Sequence, residues 1–282
     1  MTTADAALLG RLERYYDSVP RTRSRVEEVG PFTLFVAESG WPYYARPRLG
    51  LTAAITPDDV RRILARQREI GVPQAIEWVG ETTPGLLETV RSVGVEVDAC
   101  PLLVLDGRPR GPGGSARILD PEKPGDVTDL AFSRAAVSVG FGNPGTATGA
   151  AGIAERDQAL AGMDEGANAF ALEGMRAGRL RLAAVYDAAD LGVGPVGGGS
   201  YSPVDGVAEI AGVGVLPAYR RRGLASQLTF AMARHALGSG VTTVFCSAQT
   251  PEVARVYEAV GFRRVGTACV AAASSLTCRP LP

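Results

Sequence analysis

Histidine and lysine are almost missing from this chain: His235 is its single histidine and Lys123 its single lysine. One histidine excludes a multi-histidine metal centre. Its place inside a helical pattern also argues against Ser-His-Asp chemistry. The four cysteines, Cys100, Cys246, Cys269 and Cys278, form no C-x-x-C pair and fall in apolar or tail segments, as expected of reduced thiols in the cytoplasm. No uninterrupted apolar run reaches membrane-spanning length, and the segment from Met1 to Pro20 is amphipathic and charged rather than a signal peptide. There is no surplus of either charge: the net charge is −1, which gives no reason to expect nucleic acid or an anionic membrane as partner. What remains, 46% apolar and 21% charged residues in 282 positions, is an ordinary globular composition long enough for two domains.

The most informative stretch runs from Val207 to Ala225. Apolar and β-branched residues continue from Val207 to Leu216 with Glu209 as the one charge, the pattern of a strand covered on both faces, and Pro217 ends it. Arg220-Arg221-Arg222-Gly223-Leu224-Ala225 then leads into a segment whose Leu228, Met232, Ala236 and Leu237 recur at helical spacing. A basic, glycine-bearing loop between a buried strand and a helix start gathers unpaired N–H groups and the positive end of the helix dipole at one point. That suits a phosphate or pyrophosphate.

Arg220-x-x-Gly223-x-Ala225, preceded by Val215-x-Pro217, resembles the (Gln/Arg)-x-x-Gly-x-(Gly/Ala) loop of the GNAT superfamily of N-acetyltransferases. A strand from Val241 to Ser247, followed by Thr250-Pro251 and Val256-Tyr257-Glu258-Ala259-Val260-Gly261-Phe262, resembles that superfamily's next helix, which ends in Leu-Tyr-x-x-x-Gly-Phe; Thr250 stands where the family often has Asn. The resemblance implies an α/β GNAT fold with a mixed sheet, acetyl-CoA as cofactor and an amine as acceptor. The amides of Arg222 to Ala225 would hold the pyrophosphate, with Arg220 and Arg221 adding charge. Backbone N–H groups near Val213 and Val215 would hold the pantetheine arm and polarise the carbonyl, with Gly212 and Gly214 leaving room for the arm. Tyr257 would protonate the departing sulfur.

An alkylammonium has a pKa near roughly 10.4, so acetyl transfer at neutral pH needs a proton acceptor. Glu209, the only charge in its strand, is the candidate base. The alternative for this carboxylate is a structural ion pair.

Earlier in the chain, helices are expected over Ala4–Ser18 and from Thr56-Pro57 to Gly71, short strands at Phe32–Ala37 and Tyr43–Pro47 around a Gly40 turn, then strand Pro73–Val79, helix Pro84–Val93 and strand Val95–Leu105. The segment from Gly71 lies over that from Gly240, pairing Thr83-Pro84 with Thr250-Pro251 and Gly94 with Gly261, but no Arg-x-x-Gly-x-Ala loop precedes the Thr56 helix. Residues 1–112 therefore read as a degenerate GNAT-like module in tandem with a catalytic domain at 113–282, joined by the Gly- and Pro-rich stretch Gly107–Ser115. The first module would buttress the second, dimerise it or shape its acceptor pocket. In the second, a strand at Ala116–Leu119, helices at Asp126–Val139 and within Glu155–Gly178, and strands at Leu180–Tyr186 and Gly194–Tyr201 lead up to Val207. Between the helices, Gly140–Gly152 contains a formal G-x-G-x-x-G behind a helix rather than a strand, so it reads as a mobile loop over the acceptor site and not a dinucleotide site. The acceptor is a small-molecule or peptide amine. A reading of another class is an acyl-CoA-binding sensor without turnover.

Overall fold

The computed structural model describes residues 3–37, 43–111 and 113–272. The Gly40 turn, Pro112 and Cys278 lie outside them. Of the described residues, those up to Leu102 and those from Val265 onward form one compact unit, and those from Leu103 to Arg264 form another. The chain passes between the units inside two strands, β5 (Glu96–Leu105) and β11 (Phe262–Ala272), so compactness divides it elsewhere than at the glycine-rich linker.

In the first unit, α1 (Thr3–Arg21) buries Leu9 and Leu12, two members of the expected apolar stripe. β1 (Ser24–Val29) and β2 (Phe32–Ala37) form an antiparallel hairpin with β3 (Arg46–Pro47) beside β2. The sequence reading missed β1, because Arg25, Glu27 and Glu28 disguise its alternation; Glu27 is held there by Arg66 of α2 (Pro57–Glu69), with Nε and Nη2 donating to its two carboxylate oxygens at 2.7 and 3.0 Å. β4 (Ala75–Val79) is antiparallel to the far half of β11, with Ala75 opposite Ala272 and Val79 opposite Ala268. Phe32, Leu34, Val60, Ile63, Ile76 and Trp78 make the core, which α3 (Leu86–Ser92) joins through Leu86 and Val90.

The second unit is a sheet in the order β5-β10-β9-β8-β7-β6, built from the end of β5, β6 (Arg117–Ile118), β7 (Arg181–Tyr186), β8 (Pro195–Val204), β9 (Val207–Val215) and β10 (Thr243–Ser247). β6 through β9 are antiparallel in sequence, and β10 runs parallel to β9. Its helices are α4 (Pro124–Gly142), α5 (Ile153–Ala161), α6 (Glu165–Arg176), α7 (Leu224–Gly238) and α8 (Pro251–Glu258). Leu228, Met232, Ala233 and Ala236 of α7 pack on Ala208 and Ile210 of β9. The Tyr201 hydroxyl lies 2.6 Å from His235 Nδ1, so Tyr201 faces the same helix. On the opposite face lies α4: a Cβ on Gly198 would strike Ser133, and one on Gly214 would come within 3.1 Å of Val137 Cα. Side chains alternate across a strand, so Ser202, in step with Gly198, and its register partner Glu209 belong to the α4 face.

Among the described residues no helix is long and apolar enough to cross a membrane, and no three of His, Cys, Asp and Glu cluster as metal ligands. Cys100, Cys246 and Cys269 are buried and form no disulfide among the described residues.

The start of α2 satisfies itself. The Thr56 hydroxyl accepts from Asp59 N–H at 3.2 Å and Asp59 Oδ2 accepts from Thr56 N–H at 3.0 Å, a reciprocal cap that also holds the Asp59 carboxyl below its ordinary pKa, first through the Thr56 hydroxyl and then through its amide. Thr56→Ala is expected to lower unfolding free energy by about 1 kcal/mol in urea titrations at pH 7. Because the folded Asp59 pKa is depressed, that part of the cap is fully present above the unfolded carboxylate range. It is lost as pH falls through the folded value, so the gap between mutant and wild type should narrow below about pH 4, leaving only the share of the Asp59 N–H to Thr56 hydroxyl bond, which does not titrate.

Candidate functional site

The expected site residues, Tyr257 apart, follow one another along β9 and into α7, and the geometry is set by where β9 loses its neighbour. Its register with β10 covers Thr243–Val207, Val244–Ala208 and Phe245–Glu209 and stops there, although β9 continues to Val215 and β10 to Ser247. On its other edge β9 stays paired with β8, through a register shift between Ser200–Ala211 and Gly198–Gly214 that places one extra residue in β9 at Gly212-Val213, where Gly212 takes φ +64. A bulge re-aims the strand locally. Val213 and Val215 thus lie in the stretch beyond the end of pairing with β10, and Glu209 sits at the point of departure, 9% exposed. Its charge is felt across the strands: burial first, and Glu209 second, push the Cys246 thiol well above its ordinary range.

Gly214 does make room, but for α4 rather than for a ligand on that face. Val137 Cα would stand 3.1 Å from a Gly214 Cβ, and reciprocally a Cβ on Gly140 would lie 3.2 Å from the Val215 carbonyl oxygen, so two glycines let helix and strand backbones meet.

After β9, a short 3-10 turn (Pro217–Tyr219) leads into the arginine loop. Arg221 (φ +63) and Gly223 (φ +76) both take the left-handed conformation, which glycine tolerates and arginine adopts at some cost. Gly223 is the N-cap of α7 and supplies no side chain to it; nothing lies within 4 Å of where its Cβ would be. The backbone N–H groups of Arg222, Gly223, Leu224, Ala225 and Ser226 meet no acceptor among the described residues. The first helical bond is Gln227 N–H to Gly223 O at 3.0 Å. Consecutive free amides around a left-handed residue, at the positive end of a helix dipole, form a concavity suited to an anion.

The three arginines have different occupations. Arg220 turns back from the concavity: Nε donates to Val215 O at 3.2 Å, Nη1 to Ala147 O at 3.2 Å, and Nη2 to Gly140 O at 2.8 Å and Asn143 O at 2.7 Å. Its guanidinium therefore ties the end of β9 to the C-terminal carbonyls of α4 and the loop that follows, and burial lowers its pKa. Arg222 pairs with Asp187 at 2.7 Å and stacks over Tyr219 at 5.0 Å. Arg221 is exposed and pairs with no carboxylate among the described residues. The sequence reading gave Arg220 to the anion by motif; its side chain answers instead to orphan carbonyls at a helix C-terminus, a demand visible only once α4 is seen to end beside β9. The segment Gly140–Gly152, expected to be mobile, is tied down by the same arginine and by Gly149 N–H to Pro217 O at 3.2 Å and Ala218 N–H to Ala151 O at 3.0 Å.

Tyr257 of α8 is 5% exposed, in the core of the unit, with its ring 6.0 Å from that of Phe262. Thr250 caps α8 by accepting from Val253 N–H at 3.3 Å, so the residue standing where Asn is usual keeps the capping role.

Residues 152–262 match the model of the acetyltransferase (GNAT) family. Among solved structures, a GCN5-related N-acetyltransferase from Kribbella flavida aligns over 96% of this chain and 98% of its own, at 17% identity and TM-score 0.66. A functionally unknown conserved protein from Staphylococcus epidermidis aligns over 88% and 92%, at 12% identity and TM-score 0.53. A tandem GNAT protein from the clavulanic acid biosynthesis pathway aligns over 86% and 78%, at 16% identity and TM-score 0.50. No curated protein matches. The fold is therefore the GNAT fold, and the stretch that matches the family model, Gly152 to Phe262, holds β9, the arginine loop and α7.

Arg220→Ala should cost about 2–4 kcal/mol of stability, since charge-assisted hydrogen bonds are lost and several carbonyls are left without a partner. Limited proteolysis should then cut within residues 143–152 of the variant and spare the wild type.

Proposed function

We propose that this chain is an acetyl-CoA-dependent N-acetyltransferase that moves an acetyl group to a primary amine by direct attack on the thioester, with activity in the unit containing β9 and α7. The observation that carries the proposal is the run of unbonded amides from Arg222 to Ser226, opening beside a strand whose pairing ends at a buried glutamate. The fit to a pyrophosphate rests on that run and on the space beside Gly223, where a side chain would meet nothing. When bound, acetyl-CoA supplies the activated acetyl group.

The chain's own residues have distinct tasks. The amides of Arg222, Gly223, Leu224 and Ala225 hold the pyrophosphate, with Arg221 adding charge. Unpaired backbone of β9 near Val213 and Val215 accepts the extended arm as a strand edge accepts a peptide, and its N–H groups polarise the carbonyl. Glu209 takes the proton of the amine, directly or through water. Tyr257 donates a proton to the departing sulfur. The first unit is a degenerate module of the same kind, supported by its strand-helix-strand order β4-α3-β5 beside β10-α8-β11 and by the self-closed start of α2. The buried thiols, none in a disulfide among the described residues, support a cytoplasmic setting.

Two measurements test this. Calorimetry is expected to find one CoA site per chain, and Gly223→Glu to abolish binding while circular dichroism stays unchanged, because the substitution puts a carboxylate where a phosphate should sit. Unaltered affinity in the folded variant would place the pyrophosphate elsewhere. Glu209→Gln should lower turnover by about a hundredfold with little change in CoA affinity, and the deficit should shrink as pH rises and free amine becomes available unaided. Full activity at neutral pH would make Glu209 structural. CoA binding without thiol release from any amine would leave an acyl-CoA sensor as the reading.

A further inference from the structure

Nearly every sheltered arginine in the second unit has its charge or its donors answered. Arg117 pairs with Asp126 and Asp129, each at 2.7 Å. Arg156 holds Asp157 at 2.7 Å and the Val193 and Pro195 carbonyls at 2.7 and 2.8 Å, and Arg220 holds four carbonyls. Arg134 of α4 and Arg181 of β7 have no carboxylate partner among the described residues, and Arg181 gives its Nη1 to the Met175 and Leu180 carbonyls at 3.2 and 2.9 Å. Arg134, half-buried, makes one hydrogen bond among the described residues, Nη1 to Asn168 Oδ1 of α6 at 2.6 Å, and burial lowers its pKa with no described carboxylate to offset it. A guanidinium offers five donors in a planar fork suited to a carboxylate. Desolvating it without a counter-charge is costly unless something arrives to pair with it.

Its position says where that something would lie. Phe132, two residues earlier, faces α5: Arg156 stacks over its ring at 4.6 Å and reaches the carbonyls at the start of β8. At about 100° per residue Arg134 projects from the opposite flank of α4. There α6 packs its Ala171 and Met175 on Leu182 and Ala184 of β7. Leu182 is in register with Ser200, and Ser202 with Glu209, all on the α4 face. Arg134 therefore overlooks the far half of β8, on the side of the sheet where Glu209 stands. Ser133, its neighbour, sits above Gly198, and from Gly198 to Ser202 is about 13 Å of strand. Less the reach of the two side chains, that leaves the span of one or two extended residues.

We propose that Arg134 recognises a carboxylate on the acceptor, so that the amine presented at Glu209 belongs to an amino acid or short peptide rather than a neutral amine. This rests on the acetyl-transfer reading above for the fate of the amine, but the recognition itself can be tested apart from turnover.

The experiment compares free amino acids and dipeptides with their C-terminal amides, in wild type, Arg134→Gln and Arg134→Lys, by thiol release from acetyl-CoA. In parallel, calorimetry measures N-acetyl amino acids and their amides on the CoA-loaded protein. Wild type should favour acids over amides by about tenfold or more, the scale of a lost charged hydrogen-bonding partner. Arg134→Gln should erase that ratio by raising KM for the acids with kcat kept, and Arg134→Lys should restore part of it. Equal handling of acids and amides by wild type overturns the proposal and leaves acetyl transfer standing. An Arg134→Gln variant that loses acids and amides alike assigns the residue to structure and also overturns it. Arg134-dependent binding of the acids with no thiol release would sustain the proposal and sink the transfer reading. Neither binding nor release would sink both.

Discussion

Everything at this site depends on β9 parting from β10 after Glu209. Parallel strands that stayed paired to their ends would spend the amides and carbonyls of Ile210 to Val215 on each other and leave nothing for a ligand. The separation has visible supports. A bulge at Gly212-Val213 adds a residue to β9 and shifts its register with β8, which resumes at Gly198–Gly214, and the backbone of α4 presses on Gly214 and Val215 from one face. Arg220 then fixes the strand end to α4 through Val215 and Gly140. The cost of a strand edge inside a sheet is thereby offset by contacts on the other edge and on one face.

This arrangement gives the arginine motif a division of labour that charge counting would not suggest. A positive loop next to a helix start invites the view that all three arginines attract the same anion. Two of them have prior commitments, Arg220 to carbonyls and Arg222 to Asp187, and both commitments hold the backbone of the loop rather than project charge from it. On the proposed reading the anion site would be made of amides, whose positions are fixed by the fold and need no side-chain ordering when a ligand arrives. Preorganisation of this kind lowers the entropy lost on binding.

How much of this could be read from sequence follows from the range of each interaction. The elements around the site were legible because their signals are local: Pro217 after an apolar run, Thr250-Pro251 at a helix start, and Thr56-Pro57 with acids behind it all act within one turn of chain. The strand at Phe32–Ala37 was read at its observed bounds, and the order of the second unit was complete apart from the splitting of 153–176 into α5 and α6. Long-range facts were hidden. β1 gave no strand signal because the group that answers Glu27 is Arg66, 39 positions away. Arg220 looked like a phosphate ligand because its acceptors Gly140 and Asn143 lie 80 and 77 positions upstream. Arg134 carried no signal at all, since its interest lies in the counter-charge it lacks. The passage of β5 and β11 between units could not be seen either, because strand periodicity does not name a strand's neighbour.

Three of the helix starts that follow a Thr or Gly N-cap bring the same physics to different ends. At α2 and α8 a threonine side chain turns inward to the helix's own N–H groups, and proline at the first position removes a donor that would otherwise need a partner. At α2 a carboxylate closes the remaining access and places negative charge in the first turn. Such a start is satisfied and repels an anion. At α7 the N-cap is Gly223, with no side chain to fold back and no carboxylate in the first turn, so the same orphan amides face outward. In isolation that costs α7 the stabilisation a side-chain cap would give, about 1 kcal/mol. On the reading proposed above, a ligand would complete that start. At α2, by contrast, the donors of the helix start are already spent on its own cap.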